Sequence, residues 1–273
     1  ICSGTQLNDQ DPDTLVPYLL TAAHCVNTQS EVNTLEVLWL WERDGCGGPL
    51  PDPADLDVSV GGTLVVTQAS NDMSFIRLNG DVKPGTALAG WTTSTSIENV
   101  HGVHHPTGSW KRAVFLDPVG VCPGCLCWSG FTHDYYNMIS GLTEPGSSGS
   151  GVFTPSGFLA GQLQGICSSC CSPDDLDCSN IDDYWAVYGE FEETYPAIRR
   201  WLEIGGTIHV NAANATAPWE GTPADPFRTV AQAHSLAWNG ARLKIQAGSY
   251  GEALTLSKQV TLVASGGLAT IGP

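Results

Sequence analysis

The feature that most constrains this chain is a succession of short apolar or alternating runs separated by turn residues. They read "VPYLLTAAHC", "TLEVLWLWE", "TLVVTQ", "MSFIRLNG", "SGFLAGQLQG" and "YWAVYGEF". Runs of this length, rich in β-branched and aromatic residues and punctuated by N-G, G-G and D-P, predict strands rather than helices. Many short strands without long intervening helices predict an all-β barrel or sandwich. The 31 glycines and 17 prolines, against only 14% charged residues, fit such a turn-rich protein. "TYPAIRRWLEIG" departs from the pattern: its early proline and helically spaced apolar residues predict a short helix that closes a domain.

Beyond Gly206 the character changes. "GTIHVNA" predicts a strand and "PFRTVAQAHSLA" an amphipathic helix, followed by brief strands in "ARLKIQAGSYGE", "LTLSKQVTLVASGG" and "ATIG". Short strand-and-turn units at regular spacing predict the N-terminal coils of a parallel β-helix with a capping helix. The expected organisation is therefore one β domain over residues 1–205 and the start of a β-helix over residues 206–273. Two or three rungs bury too little for a solenoid, so a continuation past residue 273 is expected.

The formal net charge of −17 leaves too few cations to neutralise phosphates and argues against nucleic acid. No apolar run reaches the length of a membrane span. Ten cysteines in an acidic β-rich chain predict disulfides and a secreted, extracellular protein. Metal binding is the rival reading, because Cys122 with Cys125 and Cys167 with Cys170 form C-x-x-C pairs that suit zinc. Cys127, Cys171 and Cys178 crowd those pairs, and an even, clustered total fits bridges better. Neither a metal nor a cofactor is expected.

Three segments carry chemistry. "TAAHC" ends an apolar strand with His24, "SNDMSFIRL" places Asp72 just ahead of another, and "TEPGSSGSGVF" sets Ser147 and Ser148 in a glycine loop. A serine hydroxyl is a poor nucleophile until an imidazole takes its proton, and a buried carboxylate keeps that imidazole in the useful tautomer. Glycines allow two backbone N–H groups to converge on an oxyanion. Each residue alone has a plainer explanation: a structural histidine, a turn-capping aspartate, a serine–glycine loop. Their joint occurrence in the order His, Asp, Ser is far more specific.

With these segments in view, residues 1 to about 204 resemble a trypsin-fold serine protease, and specifically the bacterial lysyl endopeptidases. "TEPGSSGSGVF" followed by "GQLQG", the "LTAAHC" box, "SNDMSFIRL", "AGW" and "HHPTGSWKR" carry the resemblance. It implies a double β-barrel, with His24 as general base, Asp72 as its orienter, Ser148 as nucleophile, and the amides of Gly146 and Ser148 as oxyanion hole. It implies a Cys2–Cys25 disulfide across the histidine loop and places the fold's first strand outside this chain. Asp182, in "NIDDYWAV", falls at the carboxylate at the base of the specificity pocket, and Gln164, Gly165 and Tyr136 fall on its walls. The resemblance thus implies a secreted endopeptidase acting on protein or peptide, cleaving after Lys, with Arg second.

The chain departs from the family at three points. Ser147 replaces the aspartate that receives a new N-terminal amine in trypsin-like enzymes, so Ile1 does not read as an activated terminus. Gln164 stands for a histidine and Tyr136 for a tryptophan. Asp182 and Asp183 also have a bland alternative as loop acids in the Asp-rich "SPDDLDCSNIDD". Adjacent His104 and His105 face opposite ways on a strand, so "HHPTGSWKR" reads as bracing for the barrel rather than a second site. A rival of another class is a non-catalytic secreted adhesin with a decayed protease scaffold; a β-helix would suit contact with polysaccharide or a cell surface.

Overall fold

The computed structural model describes residues 1–94, 98–119, 132–168 and 184–273. They divide into two compact units, residues 1–8 with 17–197, and residues 9–16 with 198–273.

The first unit opens with strands β1 (Thr5–Leu7), β2 (Tyr18–Ala22), β3 (Glu36–Leu38), β4 (Val58–Val60), β5 (Gly62–Gln68) and β6 (Met73–Leu78). Strands β1, β2, β6 and β5 form one sheet in that order, while β3 and β4 pair only with each other. Every residue of β2 is buried, and five of the six in β6, as expected of central strands covered on both faces. Leu19, Val32, Ile76 and Leu78 form the core of this half. A short helix, α1 (Gln29–Val32), starts at a capping box between Thr28 and Glu31.

A closed barrel follows, built from β7 (Val100–His104), β8 (Arg112–Pro118), β9 (His133–Ser140), β10 (Gly151–Phe153), β11 (Leu159–Ser168) and β12 (Tyr184–Glu190). Its strands run in the order β10-β11-β12-β9-β8-β7 around the ring. β7 alternates buried and half-buried residues, the period of a strand with one face to the core. Val114, Leu116, Tyr136, Met138, Leu163 and Tyr188 are among the side chains that fill it.

Only one of the two expected barrels closes among the described residues. The N-terminal half is an open four-stranded sheet, because β3 and β4 are three residues each and bridge to neither edge. Helix α2 (Phe191–Ile204) starts three residues before Thr194, where the sequence pattern begins, so Pro196 lies inside it. Glu192 and Glu193 in its first turn suit the positive end of the helix dipole.

In the second unit β13 (Thr207–Val210), β14 (Arg242–Tyr250) and β15 (Thr261–Ile271) form a parallel sheet in sequence order. Helix α3 (Val230–Leu236) is capped by a Thr229–Gln232 box. Ile208, Val230, Leu243, Ile245 and Tyr250 share the unit's core. "LTLS" forms no strand, and "ATIG" is not a separate one: β15 runs on through Gly266 and Gly267, where its register against β14 shifts. Both glycines have positive φ, which admits the extra residues as a bulge. Among the described residues no helix is long and apolar enough to cross a membrane.

Candidate active site

The strand register brings the histidine and the aspartate together. β2 and β6 run antiparallel with Ala22 opposite Met73, so the chain leaving β2 passes the chain entering β6. Ala23 N–H donates to the Asp72 carbonyl at 2.9 Å, and His24 comes next. Asp72 has φ of 53°, a left-handed conformation that Asp tolerates better than most residues. Its carboxylate then receives the His24 backbone N–H at Oδ1 (2.8 Å) and meets the ring Nδ1 at Oδ2 (2.6 Å). Asp72 is buried, whereas the His24 side chain is half-exposed. The hydrogen bond that His24 donates to Asp72 raises the imidazole pKa above its ordinary value, against the opposing effect of burial. With the Nδ1 proton held by the carboxylate, the lone pair is on Nε2.

The glycine loop packs beside this pair. Ser3 N–H donates to the Ser148 carbonyl at 2.8 Å. A Cβ on Gly149 would stand 2.2 Å from Thr21 Oγ1 and 2.7 Å from Ala22 N, so only glycine allows the loop this close to the end of β2. Ser147 and Ser150 are 0% exposed, while Ser148 between them keeps access to solvent. The Ser147, Gly149 and Ser150 amides donate to the carbonyls of Glu144, Leu163 and Ser147. The Gly146 and Ser148 amides donate to no other group among the described residues. Two free N–H groups flanking one accessible hydroxyl can polarise a carbonyl and attack it.

The loop is held from several sides. Ser3 Oγ donates to the Gly146 carbonyl (2.9 Å) and accepts from His105 N–H (2.9 Å), and Thr21 Oγ1 donates to the Ser3 carbonyl (2.8 Å). Next to Ser3, Cys2 is disulfide-bonded to Cys25, beside His24. Among the described residues the one grouping of potential metal ligands is Cys2, His24 and Cys25, and both its sulfurs are committed to that bridge. Cys167 is disulfide-bonded too, and Cys46 is free and exposed. Ile1 is 94% exposed.

The remaining predicted residues divide. Gln164 and Gly165 sit on β11 where its register against β12 shifts, Gln164 half-buried beside His133. Tyr136 is not on a pocket wall: it is 1% exposed inside the barrel, edge-on to Tyr188, and its hydroxyl donates to Asp134 at 3.1 Å. On β9, position 136 faces inward between half-exposed neighbours, so a large ring there fills the core. Asp182 and Asp183 lie outside the described residues, as do Cys122, Cys125, Cys127, Cys170, Cys171 and Cys178.

Sequence reasoning missed His133, Ser3 and the partner of Ser147. His133 bonds Thr132 Oγ1 at 2.9 Å, and Thr132 in turn donates to the Ser70 carbonyl two residues before Asp72. Burial lowers the His133 pKa, partly opposed by the nearby Asp72 carboxylate. No local motif marks "FTHDYYN", so nothing in the sequence pointed to it.

The family model described as "Lysyl endopeptidase, C-terminal domain" matches residues 1–186. A lysyl endopeptidase of Pseudomonas aeruginosa is 28% identical over 213 residues, which cover 71% of this chain and 43% of that protein. The chain therefore spans under half of that relative's length. Among solved structures, an inactivated protease paralogue of the scabies mite aligns with a TM-score of 0.49 at 14% identity, covering 72% of this chain and 86% of that one. The Rv3671c protease in its inactive form aligns with a TM-score of 0.43 at 12% identity, covering 73% and 82%.

Proposed function

Because the chain belongs to the lysyl endopeptidase C-terminal domain family, we propose that it is a secreted serine endopeptidase using His24, Asp72 and Ser148. One observation carries this reading: a His24–Asp72 pair beside a glycine loop in which Ser148 alone of three serines is open to solvent. Ser148 Oγ attacks the scissile carbonyl while His24 Nε2 takes its proton. Asp72 balances the imidazolium, and the free Gly146 and Ser148 amides receive the oxyanion. The tetrahedral intermediate collapses to an acyl-enzyme as His24 protonates the leaving amine, and water repeats the sequence to release the acid.

Lysine is the proposed P1 residue, with arginine second. The family name and the place of Asp182 in the resemblance support this, since an unpaired carboxylate in a narrow pocket penalises any uncharged side chain. The disulfides at Cys2–Cys25 and Cys167 fit an oxidising, extracellular compartment. The second unit reads as the opening coils of a right-handed parallel β-helix, because β13, β14 and β15 stack in sequence order and parallel connections are right-handed.

A fluorophosphonate probe with tryptic mapping tests the mechanism: Ser148 should be labelled, and Ser148→Ala or His24→Ala should abolish labelling. A folded chain that never labels would sink the enzyme reading. A peptide library varied at P1 tests specificity, and cleavage after Glu or large apolar residues would overturn the role given to Asp182.

A further inference from the structure

Beneath the glycine loop lies a buried pair that the triad does not use. Ser147 Oγ is 2.8 Å from His104 Nδ1 and accepts the Glu144 N–H at 3.1 Å. Ser147 N–H also donates to the Glu144 carbonyl at 2.9 Å, closing the turn Glu144–Ser147 from both sides. Both side chains are sealed from solvent, His104 at 1% and Ser147 at 0% exposure. His104 is the last residue of β7, a rigid barrel strand paired on both edges. The turn it supports carries Gly146 and leads directly into Ser148, whose amides are the free ones.

Proton bookkeeping fixes the arrangement. Among the described residues His104 Nδ1 is the one acceptor bonded to the Ser147 hydroxyl, so the hydroxyl donates to it while Oγ accepts the Glu144 N–H. That nitrogen must be unprotonated, and the single ring proton is therefore on Nε2, which is buried without a partner among the described residues. Burial first, then the proximity of His105 and Arg112, pushes His104 down to about 4, so the ring is neutral across the neutral pH range.

We propose that His104 is a positioning residue of the catalytic loop: its neutral Nδ1 accepts the Ser147 hydroxyl and so holds the turn that aims the Gly146 and Ser148 amides at the oxyanion. The inference rests on the serine protease reading and deepens it. An uncharged hydrogen bond from a barrel strand holds this loop, and Ser147 forms no ion pair among the described residues. The acceptor at Nδ1 matters, not the ring, so an asparagine, whose Oδ1 reaches a similar place, should serve.

The test uses the full chain and its variants His104→Leu, His104→Asn and Ser147→Ala. Active sites are counted by fluorophosphonate titration, so that kcat refers to correctly folded enzyme only. His104→Leu and Ser147→Ala should each lower kcat by roughly 10- to 100-fold with KM within about twofold, on the scale of a weakened oxyanion contact. His104→Asn should recover most of that loss, and the Leu/Ala double variant should be no worse than either single one. Unchanged kcat per titrated site in His104→Leu, or an Asn variant as poor as the Leu variant, overturns the proposal. A separate readout needs no activity: ¹⁵N NMR of the imidazoles, with His104 assigned from its loss in His104→Asn. A ring protonated at Nε2 alone at pH 7 is expected, and an Nδ1-protonated or doubly protonated ring overturns it. A wild-type chain that shows this tautomer yet never labels at Ser148 would refute the protease reading and not the hydrogen bond.

Discussion

Removing the Cys2–Cys25 disulfide should weaken the fold and the catalytic loop together. The bridge closes a loop with a sequence separation of 23. By the chain-entropy model, opening a loop of that size costs about 3 kcal/mol. A domain of ordinary stability survives such a loss, because typical margins are about 5–15 kcal/mol. The local consequence is more specific. Ser3, next to the bridge, is bonded to Ser148, Gly146, His105 and Thr21. Each such bond contributes about 1 kcal/mol net, so without the bridge the contacts of Ser3 open locally more often than the protein unfolds. Every opening frees the carbonyls of Gly146 and Ser148. The Cys2→Ala/Cys25→Ala variant should therefore lose about 3 kcal/mol in urea unfolding at unchanged m-value. Its fluorophosphonate labelling should slow more than its folded fraction does. Ser3→Ala separates the two effects, since it keeps the bridge while leaving the His105 N–H and Gly146 carbonyl unpaired. A bridge-less variant that loses under about 1 kcal/mol and labels at the wild-type rate would refute this account of both the loop entropy and the role of Ser3.

Asp72→Asn should lower kcat/KM by about 10⁴-fold while leaving the fold intact, because the amide no longer holds the His24 Nδ1 proton in place; stopped-assay kinetics and circular dichroism check the two halves. The general base works only when neutral, and Asp72 raises the His24 pKa from its ordinary 6.5, so kcat/KM should fall as pH drops through a midpoint above that value. A pH profile with its midpoint below 6.5 would contradict the hydrogen bond that raises it. Gly149→Ala places a Cβ at 2.2 Å from Thr21 Oγ1 in a backbone with φ of +81°. Left-handed strain and overpacking together should cost roughly 2–4 kcal/mol, read by thermal or urea unfolding. His104 makes the protein acid-sensitive. Its folded value of about 4 lies below the ordinary 6.5, so the unfolded chain takes up the proton first and stability is lost as pH falls through that window. The loss reaches about 3 kcal/mol, and His104→Asn should remove it when unfolding at pH 7 and pH 4.5 is compared with wild type.

How much of this was legible in the residues depends on whether an interaction is local to a pattern. The central strands β2 and β6 announced themselves as apolar runs, and the functional types at their ends followed, because strand register carries His24 to Asp72. The Cys2–Cys25 bridge came with the family resemblance. β7 to β10 were harder: "VHGVH" and "HDYYNMIS" mix histidine, glycine and polar residues, and only closure into a ring explains why Val100, His104, Tyr136 and Met138 are buried. Tyr136 misled for the same reason, since an aromatic in a pocket-like alignment looks identical to one that fills a barrel. The open N-terminal sheet reflects two three-residue strands whose partners no local pattern specifies.

The Ser147–His104 contact spans 43 residues and joins two segments that each have a plainer local explanation, a serine–glycine loop and a strand end. Its direction follows because His104 Nδ1 is the one acceptor bonded to the Ser147 hydroxyl among the described residues, while the Glu144 N–H donates to the same oxygen. The same logic unifies the site. Ser3 accepts the His105 N–H and grips Gly146, while His104, the preceding residue, accepts the hydrogen bond of the Ser147 hydroxyl. Two adjacent residues thus fix consecutive residues of one loop, His105 by its backbone N–H through Ser3 and His104 by its side chain.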